Sequence, residues 1–279
     1  MRLFVLKRVE TRPYTLLASL TPSFSSPIFL NAIWPPILFQ PISVPWLQST
    51  NCMGVLIFST NFLWLILAGV NRIRGSIDTR LPIQLDLLHA LVNSIPQVVP
   101  TLYMQTLLKA SYLMAFHAFL RVGEIMAKST TDTTRPLQLQ DIVLQPKVNP
   151  SSCFITLRQS KNSAVSQTIH ITKRPNLPTA HCPVAAIAQY LLLRGSHEGM
   201  FFMLQCKRPL TKHAFNILLA RTITCLGLDP SRYKAHSFRI GAATTAALHG
   251  VTDEKIQLLG RWKSNAFRKY IRIPQISNA

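Results

Sequence analysis

The sequence predicts a mainly α-helical domain with one small antiparallel β-sheet. Apolar residues recur at helical spacing through most of the chain after its first quarter, as in the stripe formed by Leu85, Leu88 and Leu91. Only residues 137–171 change to a period of two, which is typical of strands. Residues suited to helix N-caps, such as Thr211, precede several of the helical stretches. We therefore assign the chain to the α+β class.

The composition favours a nucleic-acid partner. The 279 residues include 30 Lys and Arg against 10 Asp and Glu, a net charge of +20, and the 48% apolar content suffices for a sizeable core. An anionic membrane surface would attract the same charge. The five cysteines are scattered and form no C-x-x-C, which argues against a disulfide framework or a zinc ribbon.

Residues 1–66 form a largely charge-free, proline-rich segment, and positions 13–71 contain no Asp, Glu, Lys or Arg. The stretch 52–70 has 19 uncharged residues and is long enough to cross a bilayer, although its polar residues weaken that interpretation. The alternatives are a buried or disordered segment, or an incorrectly assigned start of the reading frame.

Residues 67–100 are interpreted as a linker and a first helix, and residues 101–279 as the main helical domain. In "TLYMQTLLKASYLMAFHAFLRVGEIMA" the apolar residues occupy most faces, as in a helix buried on nearly all sides. Arg121 is expected at the end of that helix. Burying it is costly unless it is paired, and Glu124 lies one turn later.

Three alternating stretches, "QLQDIVL", "CFITLRQS" and "SQTIHI", predict the strands of the sheet. The turn "SKNSA" between the last two places Lys161 at a hairpin tip. Helices follow, with Pro183 in the first turn of one and Thr211 capping another.

The stretch from 236 to 272 predicts three short helices bounded by glycines and capping residues. His236 and Arg239 are three positions apart at the start of the first helix, so both project from one face and form a candidate phosphate site. Trp262 and Tyr270 follow on the later elements. Taken singly, each of these residues fits an ordinary core or surface position better than a catalytic one.

The combination, in its order along the chain, resembles the tyrosine recombinase (phage integrase) family. That family has an Arg on a buried helix, a Lys on a hairpin, an H-x-x-R pair, a His or Trp after a glycine, and a nucleophilic Tyr. The matching stretches are "AFLRVGEI", "RQSKNS", "HSFRIGAAT", "LGRWKS" and "FRKYIR", and they supply Arg121, Lys161, His236, Arg239, Trp262 and Tyr270. The wording is most similar to recombinases of eukaryotic mobile elements of the DIRS, Ngaro and Crypton types.

The resemblance implies a catalytic core in which Tyr270 attacks a DNA phosphodiester and forms a 3′-phosphotyrosyl link. Arg121 and Arg239 would hold the phosphate, Lys161 would protonate the leaving 5′-oxygen, and Glu124 would orient Arg121. His236 and Trp262 would complete the site. We expect neither a metal nor another cofactor, because the few carboxylates are dispersed and His181, Cys182 and Cys206 lack ligand spacing.

Two departures from the family pattern stand out. The His or Trp of the family usually precedes the Tyr by nine residues, whereas Trp262 precedes Tyr270 by eight and Arg261 by nine. We assign the role to Trp262 by its chemical type and a supporting role to Arg261. Residues 1–66 also show no counterpart of the small helical DNA-binding domain that normally precedes the catalytic domain.

The implied partner is double-stranded DNA, bound by a homo-multimer that is a tetramer on paired sites, and the implied location is the nucleus. Non-specific phosphate contacts are expected from five basic residues, Lys207, Arg208, Lys212, Arg232 and Lys234. A non-catalytic DNA-binding relic with the same fold is the alternative, and type IB topoisomerase chemistry is a third, weaker possibility.

Overall fold

The computed structural model describes residues 78–131, 136–158, 166–173 and 177–273, which lie in one compact unit, Ser76–Ala279. Within these ranges the helices are α1 (Leu85–Val98), α2 (Leu102–His117), α3 (Val122–Ile125), α4 (Pro183–Arg194), α5 (Lys212–Cys225), α6 (Ser237–Leu248) and α7 (Asp253–Gly260). The strands are β1 (Ile142–Gln145), β2 (Ser152–Leu157) and β3 (Gln167–Thr172). The predicted fold class is confirmed.

Helix α2 lies at the centre of the domain and packs against α1, α4 and α6. Most of its residues are buried, as its all-round apolar sequence predicts. Thr101 caps its start by accepting a hydrogen bond from the backbone N–H of Met104. On α1 the stripe of Leu88 and Leu91 is fully buried and faces this core.

The end of α2 differs from the sequence prediction. The helix stops at His117, and Phe119 adopts a left-handed conformation with φ of 50°. Arg121 is therefore the N-cap residue of the short helix α3 rather than the last residue of α2. Its backbone N–H donates to the Glu124 carboxylate, and this bond stabilises the first turn of α3.

The sheet has the order β1-β2-β3, and both pairs of strands are antiparallel. Ile155 lies opposite Ile142 on one side and Ile169 on the other, on the face that packs on the helices. Phe154 stacks on His170 on the opposite face, with ring centroids 4.4 Å apart. Lys161 falls between β2 and β3 and lies outside the described residues, as do segment 1–66 and the stretch 52–70.

In the part of the chain that the structure describes, no helix is both long and apolar enough to span a membrane.

A buried arginine at the end of α4 organises the loop that leads to α5. The Arg194 guanidinium donates to the carbonyl oxygens of Gly195, His197, Met200 and Phe201 at 2.7 to 3.0 Å. These bonds offset the cost of burying its charge. These bonds hold the first part of the loop in place, and exposed basic side chains follow in its later part.

The segment before α1 runs across the start of α6. Leu81 N–H donates to Arg232 O at 2.8 Å, and Ile83 N–H donates to Ser237 O at 3.0 Å. Gly241 permits this close approach, because a Cβ at that position would overlap the backbone carbonyl of Ile83.

We therefore expect Gly241→Ala to lower the free energy of unfolding by about 3 kcal/mol, since backbone atoms must move to admit the methyl group. Gly123→Ala is the matched control, because Gly123 is helical and has no atom within 4 Å of the added Cβ. Its effect should stay within about 1 kcal/mol and be stabilising. Urea unfolding of both variants measures the difference, and equal stabilities would contradict the packing described here.

Candidate functional site

The structure brings together most of the site residues predicted from the sequence. They come from four places: α3 and its N-cap, the start of α6, the turn after α7, and a 3-10 helix at Asn265–Tyr270. The residues that meet there are Arg121, Glu124, His236, Arg239, Arg261, Trp262 and Tyr270.

Arg239 is the centre of the site and is completely buried. Its Nη1 donates to Phe119 O and its Nη2 to Gly260 O, so one guanidinium links the turn after α2 to the end of α7. The guanidinium carbon lies 4.0 Å from the centre of the Trp262 ring and 5.7 Å from that of Tyr270. Burial, and then the neighbouring charges of Arg121 and Arg261, lower the pKa of Arg239.

Glu124 bridges two further arginines. Its Oε1 accepts from Arg121 Nη1 at 2.9 Å, and its Oε2 accepts from Arg261 Nη2 at 2.9 Å. Arg261 also donates to Ala118 O at 3.1 Å, and its side chain is only 10% exposed, whereas that of Arg121 is 38% exposed. Arg121 therefore keeps an accessible edge, while Arg261 is committed to internal bonds.

The turn after α7 decides which of two neighbouring residues faces the tyrosine. Arg261 adopts the left-handed conformation with φ of 56°, which reverses the chain at the helix end. The Trp262 ring then packs directly on Gly260, where an added Cβ would overlap it, and its centroid lies 5.0 Å from that of Tyr270. Trp262 thus lies beside the tyrosine, and Arg261 points back to Glu124.

Two buried donors in this cluster have no hydrogen-bond partner among the described residues, Arg239 Nε and Trp262 Nε1. A buried N–H without an acceptor costs about 1 to 3 kcal/mol, so such donors mark a place where an acceptor is expected to bind.

His236 also lies beside the tyrosine, with the two ring centroids 5.0 Å apart. Burial lowers the pKa of His236 to about 4, and the nearby positive charges of Arg80, Arg239 and Arg121 act in the same direction. The imidazole is therefore neutral at neutral pH and is able to accept a proton.

Sequence reasoning missed a second charged cluster next to the tyrosine. Asp78 accepts from Arg80 Nε at 2.7 Å and also pairs with the side chain of Arg272, two residues after Tyr270. The stretch "DTR" at 78–80 read only as linker, since nothing local indicates a partner 194 positions away. The one available indication was that Asp78 is an acidic residue without an evident partner in a strongly basic chain.

The predicted DNA-contact residues are all exposed. Lys207 and Arg208 lie on a tight turn closed by the bond from Leu204 N–H to Arg208 O at 2.7 Å. Lys234 N–H donates to Ser237 Oγ at the start of α6, next to His236. No group of three or more His, Cys, Asp or Glu side chains in the described ranges is placed to hold a metal ion.

No protein-family model and no curated protein matches this sequence. Solved structures do match: the XerH site-specific recombinase bound to its difH substrate before cleavage is similar with a TM-score of 0.52 and 16% identity, over 70% of this chain and 51% of that chain. XerA recombinase gives 0.52 and 16%, over 78% and 73%. A lambda integrase dimer bound to a COC′ core site gives 0.51 and 15%, over 76% and 56%.

The chain therefore spans about half the length of the XerH chain. At these identities the likeness establishes the architecture, and the helical core with its three-stranded sheet has the fold of a tyrosine recombinase catalytic domain.

Proposed function

We propose that this protein breaks and rejoins DNA strands by tyrosine recombinase chemistry, with Tyr270 as the nucleophile. The observation that carries the proposal is the pair of buried donors without protein partners, Arg239 Nε and Trp262 Nε1, in the cluster that the tyrosine ring covers. A phosphate oxygen supplies the acceptor that both donors need. The shared fold with DNA-bound recombinases supports the same reading.

The charge of the cluster suits a phosphoryl transition state. Arg121, Arg239 and Arg261 contribute three guanidinium groups, and Glu124 offsets one of them. Attack on a phosphodiester concentrates negative charge on the non-bridging oxygens, which this surplus of positive charge stabilises. Glu124 positions Arg121 and Arg261 at once, so the surplus is held in a fixed geometry.

The proton transfers balance as follows. The Tyr270 oxygen forms a bond to phosphorus while the bond from phosphorus to the 5′-oxygen breaks. The negative charge of the bound phosphodiester raises the basicity of His236, which then takes the phenolic proton. Lys161, which lies outside the described residues, is proposed to protonate the leaving 5′-oxygen. The phosphotyrosyl link conserves the bond energy, so a 5′-hydroxyl rejoins the strand by the reverse steps without ATP.

Binding of the phosphate requires a change in the site. Arg239 is wholly buried, and the Tyr270 ring lies over it. The Tyr270 side chain must therefore move aside when the DNA backbone enters, and it must return the phenolic oxygen to the phosphorus for attack.

A non-catalytic DNA-binding protein with the same fold is the second candidate. It is favoured by the bonds that hold both Nη atoms of Arg239 on the carbonyls of Phe119 and Gly260, because these bonds leave only Nε for a phosphate. In that case DNA would bind at the basic surface, and the partly buried tyrosine would stay in its observed position.

The wider setting belongs to the same proposal. We propose double-stranded DNA as the partner and a homo-multimer on paired sites as the active form. The motif wording supports a relationship to recombinases of eukaryotic mobile elements and an action in the nucleus. The exposed side chains of Lys207, Arg208, Lys212, Arg232 and Lys234 provide the phosphate contacts.

Covalent trapping tests the chemistry. Incubation with a panel of nicked duplexes built from the sequences that flank the reading frame should give a denaturant-stable protein–DNA adduct, because the nick releases the strand that would otherwise reverse the reaction. Mass spectrometry should place the phosphotyrosyl group on Tyr270, and Tyr270→Phe should abolish the adduct while DNA binding is retained. An absence of adduct on every duplex, with binding intact, would establish the non-catalytic alternative.

The protonation of His236 is a second test. We expect no titration of its imidazole near pH 6.5, because burial lowers its pKa to about 4, whereas the urea-unfolded chain should titrate near its ordinary value. Labelled-histidine NMR measures this, and His236→Gln identifies the resonance. Below pH about 6.5 the unfolded state binds a proton that the folded state excludes, so the wild type should lose stability faster than His236→Gln as pH falls from about 7 to about 5. A transition of this resonance near 6.5 would contradict the burial.

The basic turn makes a third prediction. Lys207→Gln with Arg208→Gln should weaken DNA binding equally for all sequences and reduce the slope of log K against log salt by about 0.9 per lost phosphate contact. The control is Lys147→Gln, an exposed lysine outside the proposed contact set. Fluorescence anisotropy at several salt concentrations measures the slope, and an unchanged slope in the double variant would remove this turn from the interface.

A further inference from the structure

The backbone at Tyr270 and just beyond it is attached to α6 by two hydrogen bonds to a single hydroxyl group. Thr244 Oγ1 on α6 donates to Tyr270 O at 3.1 Å and accepts from Arg272 N–H at 3.0 Å. The Arg272 side chain continues past it: Nη1 donates to the carbonyls of Asp78 and Arg80, and Nη2 pairs with the Asp78 carboxylate. The backbone from Tyr270 to Arg272 is thus held by one hydroxyl and one guanidinium.

Asp78 and Arg80, which accept the hydrogen bonds of Arg272, are themselves held in place by other bonds. Leu81 N–H donates to Arg232 O in the turn before α6, and Ile83 N–H donates to the carbonyl of Ser237, the first residue of α6 and the neighbour of His236. Both Asp78 oxygens also accept from Arg80, at 2.7 and 2.9 Å. These bonds hold the pKa of the Asp78 carboxyl well below its usual range, so it is ionised whenever Arg272 pairs with it.

The segment has a second ion pair of a different kind. Arg268 pairs with Asp253 at 3.1 Å, but these side chains are 67% and 46% exposed, against 23% and 35% for Arg272 and Asp78. An isolated exposed pair contributes little, because water screens it and two long side chains lose freedom. The Arg272 pair adds two backbone acceptors and is better shielded, so it is the one able to fix the segment.

We propose that Asp78 and Arg272 are positioning residues for the nucleophile: their ion pair holds the backbone just beyond Tyr270 and thereby seats its ring between His236, Trp262 and Arg239. The inference rests on the proposed function for its catalytic consequence. Neither residue touches the reacting atoms, so loss of the pair lowers the fraction of molecules with the phenolic oxygen in place and leaves DNA affinity nearly unchanged.

The test compares Arg272→Gln with Arg268→Gln, which removes the same charge from the same segment on the other side of the tyrosine. In Arg272→Gln we expect amide exchange at positions 271 and 272 in the DNA-free protein to quicken about 10-fold. Adduct formation at saturating nicked DNA should slow about 10-fold. Both changes have the size expected when charge-assisted hydrogen bonding is lost. In Arg268→Gln both rates should stay within about 2-fold of wild type.

A second variant tests whether the effect of Arg272→Gln comes from the lost ion pair or from misfolding. Asp78→Asn keeps the shape of the acceptor and removes its charge, and it should shift both rates in the same direction. The double variant Asp78→Asn with Arg272→Gln should be no slower than Arg272→Gln alone, because the two residues act through one pair.

The outcomes separate the two proposals. If Arg272→Gln behaves like Arg268→Gln in both measurements, or if exchange quickens and adduct formation does not slow, the positioning role is overturned. If the wild type forms no adduct on any duplex, the proposed function fails, and exchange alone decides whether the pair anchors the segment: quickened exchange supports the anchor and unchanged exchange overturns it.

Discussion

The structure depends on the burial of one guanidinium, that of Arg239. An arginine without solvent exposure is costly, and its charge is tolerated only where hydrogen bonds and neighbouring electron-rich groups replace water. Here the carbonyls of Phe119 and Gly260 and the face of Trp262 do so. Because those carbonyls belong to distant turns, the bonds also fix the turn that positions Arg121 and the turn that positions Trp262.

A second carboxylate, placed beside Arg239, would have stabilised the cluster but neutralised its central charge. Glu124 sits instead between Arg121 and Arg261, where it orders both without neutralising the central charge. The resulting positive field lowers the pKa of His236 further than burial alone, and so keeps its imidazole neutral beside the tyrosine. The same surplus of charge therefore favours a bound anion and disfavours a protonated imidazole while no anion is present.

Much of this site could be predicted from the sequence because its signals are local. Thr252 and Ser264 cap their helices as their positions indicate, and the H-x-x-R spacing put His236 and Arg239 on one side of α6. Prediction was wrong at the end of α2, because the left-handed turn at Phe119 depends on a bond to Arg239, 120 positions away. The pairing of Asp78 with Arg272 is longer-range still, and no periodicity records it. The role of Lys161 stays a prediction.

These long-range bonds explain why an irregular stretch before the first helix matters to the chemistry. Residues 78–83 make no regular secondary structure, yet they bond to the start of α6 on one side and to the tyrosine segment on the other. The absence of a Cβ at Gly241 lets that stretch lie against the helix that carries Arg239. A displacement of the stretch would therefore alter the tyrosine segment and the start of α6 together, because both are hydrogen-bonded to residues 78–83. Tyr270 is restrained by the part of the fold that also supports Arg239, so the proposed substrate and the tyrosine would sense the same structural change.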